Sequence, residues 1–241
     1  MTTITGKTIL VTGGNRGIGQ ALVEEALRRG AHRVYVSTRG DWTHSDKRVA
    51  PLAFDLTDRA AIRAAASAVE SLDILVNNAG IALYDDLTDR TAIERQLAVN
   101  LFGPWEVIQA FLPQLSQARG TIVNNLSLNS IAPLPMIPGY SISKAAAFSL
   151  TQSLRSLLAA AGIQVAAVLT GPTDTDMTKG FEVPKAAPEA VARAIFDGVE
   201  RDEEDIVPDP LAATLASGWR TGTAKTLEGQ FAALATPVPA G

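Results

Sequence analysis

An apolar, β-branched run, Lys7-Thr-Ile-Leu-Val-Thr12, leads directly into Gly13-Gly-Asn-Arg-Gly17-Ile-Gly19. That turn opens into Gln20–Gly30, where apolar residues recur with a period near 3.6 until a glycine stops them. Few folds accommodate a strand, a glycine-rich turn and a helix in that order. The helix N-terminus offers free N–H groups and the positive end of a dipole, and the glycines let backbone approach a pyrophosphate. The unit therefore predicts a dinucleotide site contacted by Gly13, Asn15, Arg16, Gly17, Ile18 and Gly19. Its spacing is Gly-x-x-x-Gly-x-Gly, and a glycine turn alone is a weak signal. The flanking strand and helix favour the phosphate reading over a plain strand–helix connection.

The rest of the chain repeats the alternation. Strands are predicted at Arg33–Thr38, Ala50–Phe54, Leu72–Val76, Thr121–Leu126 and Ile163–Leu169, with an edge strand at Asp205–Pro208. Helices are predicted at Arg59–Glu70, Asp89–Leu101, Pro104–Leu115, Tyr140–Ala161 and Pro188–Arg201, with Leu211–Leu234 partly helical. The interval Gly40–Val49 is too short for a full crossover helix. No repeat or linker divides the chain, so the expectation is one α/β domain over residues 1–241, built on a Rossmann-like, doubly wound parallel sheet.

At the end of the second strand a dinucleotide fold meets the adenine ribose, where an acidic residue takes the 2′-hydroxyl. Here Thr38 is followed by Arg39, and Arg16 lies in the phosphate turn. Guanidinium groups suit a phosphate, so the pair favours NADP(H) over NAD(H), against the alternative of two exposed charges. Asp55 and Leu56 end the third strand, where adenine would rest; a helix N-cap role for Asp55 or Asp58 is equally plausible. Asn77-Asn78-Ala79-Gly80 puts amides at the carboxyl edge of the fourth strand, where ligands sit in open α/β folds.

Composition removes several alternatives. The chain has no cysteine and only two histidines, His32 and His44, which excludes thiolate metal sites and leaves no set for a typical zinc site, so no metal is expected. Net charge is −4 without a basic run, which argues against a nucleic-acid partner. No apolar run is long enough to span a bilayer and no signal segment opens the chain, so a cytoplasmic location is expected.

The chemistry is predicted between Ser127 and Lys144. Tyr140 and Lys144 lie four residues apart and share one helix face. A phenol near its ordinary value of about 10 does little at neutral pH, and a nearby ammonium favours its ionisation. Ser127 would hold a substrate oxygen beside the phenol. Alone, Tyr-x-x-x-Lys is a weak motif, and a helix-start aromatic beside a solvated lysine is its ordinary alternative.

Together these segments resemble the short-chain dehydrogenase/reductase family over nearly the whole chain. Thr12–Gly19 matches its cofactor turn, and Asn77–Gly80 the segment that steadies the central sheet and lies beside the cofactor. Asn100, Ser127, Tyr140 and Lys144 match its catalytic four, with thirteen residues from Ser to Tyr. The resemblance implies that Asn78, Ala79 and Gly80 flank the cofactor. It also implies that Gly171, Pro172, Thr173 and Thr175 meet the nicotinamide end, although the usual Pro-Gly reads Thr170-Gly171-Pro172 here. It implies further that Ser127 and Tyr140 bind a carbonyl oxygen while hydride passes from the nicotinamide to the carbon. Tyr140 then supplies the proton, Lys144 holds the ribose and lowers the Tyr pKa, and Asn100 keeps a relay water. Leu83, Leu128, Ile137, Pro138, Met177 and Phe181 are expected to line an apolar substrate wall. With no basic cluster near this region, an acyl-carrier-protein or CoA thioester is not suggested, and the expected substrates are apolar or aromatic ketones and aldehydes, taken broadly. The rivals are an alcohol dehydrogenase working oxidatively, a halohydrin dehalogenase, which intact glycines and Lys144 disfavour, and an NADP-binding redox sensor without turnover. The resemblance implies a dimer or tetramer assembled through the two long helices, here Pro104–Leu115 and Tyr140–Ala161; the faces bearing Trp105, Phe111, Ala146 and Leu150 could serve, and core packing would also account for them.

Overall fold

The computed structural model describes residues 2–232. Seven parallel strands form one sheet: β1 (Thr8–Thr12), β2 (Arg33–Thr38), β3 (Val49–Ala53), β4 (Ile74–Asn77), β5 (Thr121–Asn125), β6 (Gln164–Val168) and β7 (Asp205–Ile206). Their order is β3-β2-β1-β4-β5-β6-β7, so the winding reverses between β1 and β4. The helices are α1 (Gly17–Arg28), α2 (Arg59–Ser67), α3 (Arg90–Leu97), α4 (Gly103–Ala118), α5 (Pro138–Leu158), α6 (Pro188–Glu200), α7 (Pro210–Arg220) and α8 (Thr223–Ala232).

Alternation along the strands builds two cores. Ile9, Val11, Ile74, Val76, Val123, Ala166 and Val168 face one layer, against α1 and α6; Leu10, Leu75, Ile122 and Val165 face the other, against α2, α4 and α5. Both faces are covered, so these strands read as nearly continuous apolar runs. No described helix is long and apolar enough to cross a membrane.

Several expectations shift. The first helix starts at Gly17, so the glycine turn supplies its opening residues. No helix joins β2 to β3. The loop in its place packs Trp42 against the first core and sets His44 Nε2 2.9 Å from Glu24 Oε1 on α1. Asp58, not Asp55, caps α2, its carboxylate accepting from Ala60 N and Ala61 N. The helix expected to stop at Leu101 instead passes through a π-helical turn, Ala98–Phe102, straight into α4. Of the two readings open for Phe111, partner face or core, the core holds: it is fully buried, its position on α4 pointing into the second core, and Leu150 packs against that core too. The expected C-terminal helical stretch divides into α7 and α8; Leu234, its predicted end, lies outside the described residues.

Candidate active site

The reversal between β1 and β4 opens a crevice at the carboxyl ends of the strands, the position where open α/β sheets take their ligands. At its floor the glycine turn leaves β1. Gly17 has φ +54°, and a Cβ there would stand 3.1 Å from the Thr175 side chain across the crevice. A Cβ on Gly19 would come within 2.1 Å of the Gly13 carbonyl oxygen and 2.6 Å of Asn78 Nδ2. No side chain caps α1, so its first N–H groups point unclaimed toward the crevice. This cradle fits a pyrophosphate.

Arg16 Nη1 lies 3.4 Å from Asp176 Oδ2, and Arg39 Nη1 lies 4.0 Å from Asp55 Oδ2; both arginines and Asp176 are largely solvated and Asp55 is half-buried. Such pairs hold their guanidinium groups weakly. Hydrogen bonds from Thr57 side chain and backbone, with a smaller contribution from Arg39, keep the Asp55 carboxyl below its ordinary range. Thr38 is buried, its hydroxyl donating to Gly40 O. Leu56 is buried in the second core, where its Cβ limits Gly103 to a glycine.

Three asparagines brace the crevice, as the resemblance implied for the Asn77–Gly80 segment. Asn78 Nδ2 donates to Thr12 O at 3.0 Å, and Asn78 Oδ1 accepts from Asn125 Nδ2 at 3.1 Å. Thr12 Oγ1 accepts from the backbone N–H groups of Asn78 and Ala79. Asn100 Nδ2 donates to Ile81 O and Ser143 Oγ, while its Oδ1 accepts from Ile81 N at 2.9 Å. A second ladder runs from Asn77 through Asn124 to Thr151 on α5, each step 2.9 Å. Asn124, Asn125 and Thr151 carry no site expectation from the sequence, and Thr12 only its place in the cofactor turn. Consecutive asparagines within an apolar strand were the available signal, since a buried amide demands partners.

The inward stripe of α5 carries Tyr140, Lys144, Ala147, Thr151, Leu154 and Leu158, which is why both reactive groups are buried. Lys144 Nζ donates to Asn125 O at 2.9 Å and lies 5.7 Å from the Tyr140 ring centroid. Burial pushes the Lys144 ammonium down to about 8. It also pushes the Tyr140 phenol up to about 12, a hydrogen bond with Ser127 offsetting part of the rise. The expected net lowering of the Tyr140 pKa beside Lys144 is therefore not found: burial sets the direction for both groups. Ser127 leaves β5 extended and its Oγ accepts from Asn129 N. At Gly80 a Cβ would stand 3.0 Å from Asn100 Oδ1 and 3.7 Å from Lys144 Nζ, so that glycine joins the cofactor side to the catalytic side.

Beyond β6, Gly171 N donates to Asp209 Oδ2 at 2.7 Å, which fixes the path of the Gly171-Pro172 turn. Thr173 is buried, bridging to Ala186, whereas Thr175 faces Gly17. Of the expected substrate wall, Ile137 is buried and Leu128 packs against a third apolar cluster containing Leu126, Phe148 and Leu169. Leu83 and Pro138 are half-buried and Met177 is exposed. Phe181 stacks on Tyr84, ring centroids 6.1 Å apart and planes 14° from parallel, joining the loops that follow β6 and β4. Tyr84, too, was not foreseen.

Residues 7–185 match the family model described as short chain dehydrogenase. The chain is 32% identical over 244 residues to the short-chain dehydrogenase virD of Hypocrea virens, covering 90% of this chain and 84% of that protein. It is 30% identical over 250 residues to the oxidoreductase UcpA of Salmonella typhimurium, covering 94% of both. Among solved structures, a short chain dehydrogenase from Burkholderia cenocepacia in complex with NADP superposes with a TM-score of 0.87 at 32% identity, covering 98% of this chain and 100% of that one. A short-chain dehydrogenase from Sphingobium yanoikuyae in complex with NADPH gives 0.78 at 27% identity, covering 92% and 95%.

Proposed function

The chain belongs to the short-chain dehydrogenase family, and from that premise we propose that it reduces a ketone or aldehyde to an alcohol with NADPH. The observation that carries this reading is the convergence of Ser127, Tyr140 and Lys144 at the crevice beside an uncapped helix N-terminus. Gly13, Asn15, Arg16, Gly17, Ile18 and Gly19 would hold the pyrophosphate, and Thr175 with the Gly171–Thr173 turn would approach the nicotinamide end. Arg16 and Arg39 are only loosely engaged by carboxylates, which supports a 2′-phosphate partner, as do the two related structures holding NADP and NADPH. When bound, the reduced nicotinamide supplies the hydride that reaches the carbonyl carbon.

Ser127 Oγ and Tyr140 Oη donate to the substrate oxygen, and Tyr140 releases its proton to that oxygen as the alcohol forms. A phenol pushed up to about 12 stays protonated across the neutral range. Lys144, near 8, exchanges protons close to neutrality and can recharge the tyrosine. A void of about 10 Å³ bounded in part by Asn77, Asn100, Asn124 and Lys144 has room for one water centre, which supports a short relay there. Asn100 would serve it by shape, since its amide is committed to Ile81 and Ser143.

The mouth supports an apolar or aromatic substrate: Tyr84, Leu87, Ile131, Met136, Met177 and Val183 are exposed on the three loops that follow β4, β5 and β6. The test follows NADPH absorbance with a panel of aliphatic and aryl ketones and aldehydes. Wild type should turn over aryl members best. Tyr140→Phe should lose about 10²–10⁴-fold in kcat with NADPH affinity near wild type. No turnover with any member, or full activity in the variant, would overturn the reading.

A further inference from the structure

We propose that Asp85 is a positioning residue for catalysis, clamping the loop after β4 onto the first turn of α5 and so fixing Tyr140 against the substrate wall. The proposal rests on Tyr140 being the acid.

α5 opens on Pro138, which has no N–H, and its N-cap, Ile137, offers no side-chain oxygen. The N–H of Gly139, next to Tyr140, is therefore an orphan of the helix start. It is met from 54 residues away: Gly139 N donates to Asp85 Oδ1 at 3.2 Å and Oδ2 at 3.1 Å. A carboxylate is the favoured partner at that end of a helix. Asp85 Oδ1 also accepts from Leu87 N, which curls the loop around the carboxylate.

A buried glutamine completes the clamp. Gln96 on α3 is fully buried; its Nε2 donates to Asp85 Oδ2 at 3.2 Å, and its Oε1 accepts from Leu83 N at 3.0 Å. Loop, α3 and the start of α5 thus share one network, and it leaves no slack. A Cβ on Gly139 would stand 2.6 Å from Gln96 Nε2 and 2.8 Å from Asp85 Oδ2. A helix needing only a cap could take one from residue 137. Drawing it from the loop that carries Leu83 and Tyr84 makes the substrate wall and the acid move as a unit.

The experiment compares wild type with Asp85→Ala, Asp85→Asn and Gly139→Ala. Steady-state kinetics use NADPH and the ketone turned over best; NADPH affinity is read by nicotinamide fluorescence. Hydrogen exchange is followed over residues 83–88 and 137–142. Misplacement of a catalytic group by an ångström costs up to about 100-fold. Asp85→Ala should therefore lose about 10- to 100-fold in kcat/KM, shared between kcat and KM, with the NADPH Kd within about twofold of wild type. Asp85→Asn keeps an acceptor for Gly139 N and should recover to within about threefold of wild type. Gly139→Ala should reproduce the loss with the carboxylate intact. A purely structural cap would lower melting temperature and leave kcat/KM of the folded protein unchanged, and that result overturns the proposal. So does an Asn variant as impaired as the Ala variant. The exchange arm needs no turnover: both segments should lose protection together in Asp85→Ala, and loss in only one breaks the coupling. Wild type inert toward every carbonyl compound would instead sink the reductase reading, leaving the clamp to the exchange result.

Discussion

Lys144 carries an ammonium where water barely reaches, with one backbone carbonyl for company. Function wants a charge there; stability does not. Below pH 8 the folded and unfolded chains both hold the proton, and the desolvation cost stands in full. Between about 8 and 10.5 the folded chain releases it while the unfolded chain keeps it, so this group's contribution to stability rises with pH. Lys144→Met should therefore be inactive yet melt above wild type at pH 7, the gap narrowing as pH rises from 8 toward 10. Calorimetry at four pH values checks this; a variant melting lower at pH 7 would show that the Asn125 hydrogen bond outweighs burial. Tyr140 has the opposite linkage. Its raised pKa keeps the folded chain protonated from about 10 to 12, where the unfolded chain ionises, so stability falls with pH in that window. Sequence spacing put these two side chains on one face correctly. It could not say that the face was the buried one, and burial decides which way each group titrates.

At the scale of elements, the glycine turn has the least freedom to change. Gly19→Ala would drive a methyl into the Gly13 carbonyl at 2.1 Å, a backbone clash that no rotamer relieves. Overpacking of this kind costs about 1–3 kcal/mol or more. Melting temperature should fall by roughly 5 °C or more and NADPH binding should be lost, measured by thermal denaturation and fluorescence titration. An alanine variant that binds NADPH normally would remove the turn from the cofactor site. This element was legible because its signal is local: a strand, its turn and its helix are consecutive in the chain. β2 was legible for the same reason, Arg33–Thr38 being both the predicted and the observed span. The α3–α4 junction was not. Periodicity ends a helix at Leu101 and reopens it at Pro104, whereas one wide turn carries the chain through and buries Asn100. The partners within the asparagine network and the Asp85 clamp were illegible for another reason. Each bond joins elements tens of residues apart, and Asp85 is one of three aspartates within five residues, indistinguishable by type from its neighbours.

Across the whole molecule, the two main cores hold most of the buried apolar side chains, so large apolar side chains left outside on the long helices carry information. Burial of Phe111 removes one residue from the expected association face and leaves Trp105, joined by Phe102, Ile142 and Leu157. Phe102 and Trp105 are three residues apart at the start of α4, and Ile142, Ala145 and Ser149 are exposed at i, i+3 and i+7 along α5. That spacing makes one stripe. Two such stripes facing each other across a two-fold axis form a self-complementary contact, which closes and leaves no sticky end. Charge placed in its centre would then meet its own copy. Phe102→Glu with Ile142→Glu should shift the protein from dimer or tetramer to a species of lower mass, read by light scattering at micromolar concentration. Tyr140 and Lys144 lie on the inward stripe of α5, opposite Ile142, and Phe102 is exposed before α4, so NADPH binding should survive in the smaller species. Wild type already monomeric at that concentration, or a double variant of unchanged mass, would exclude this face as the site of assembly.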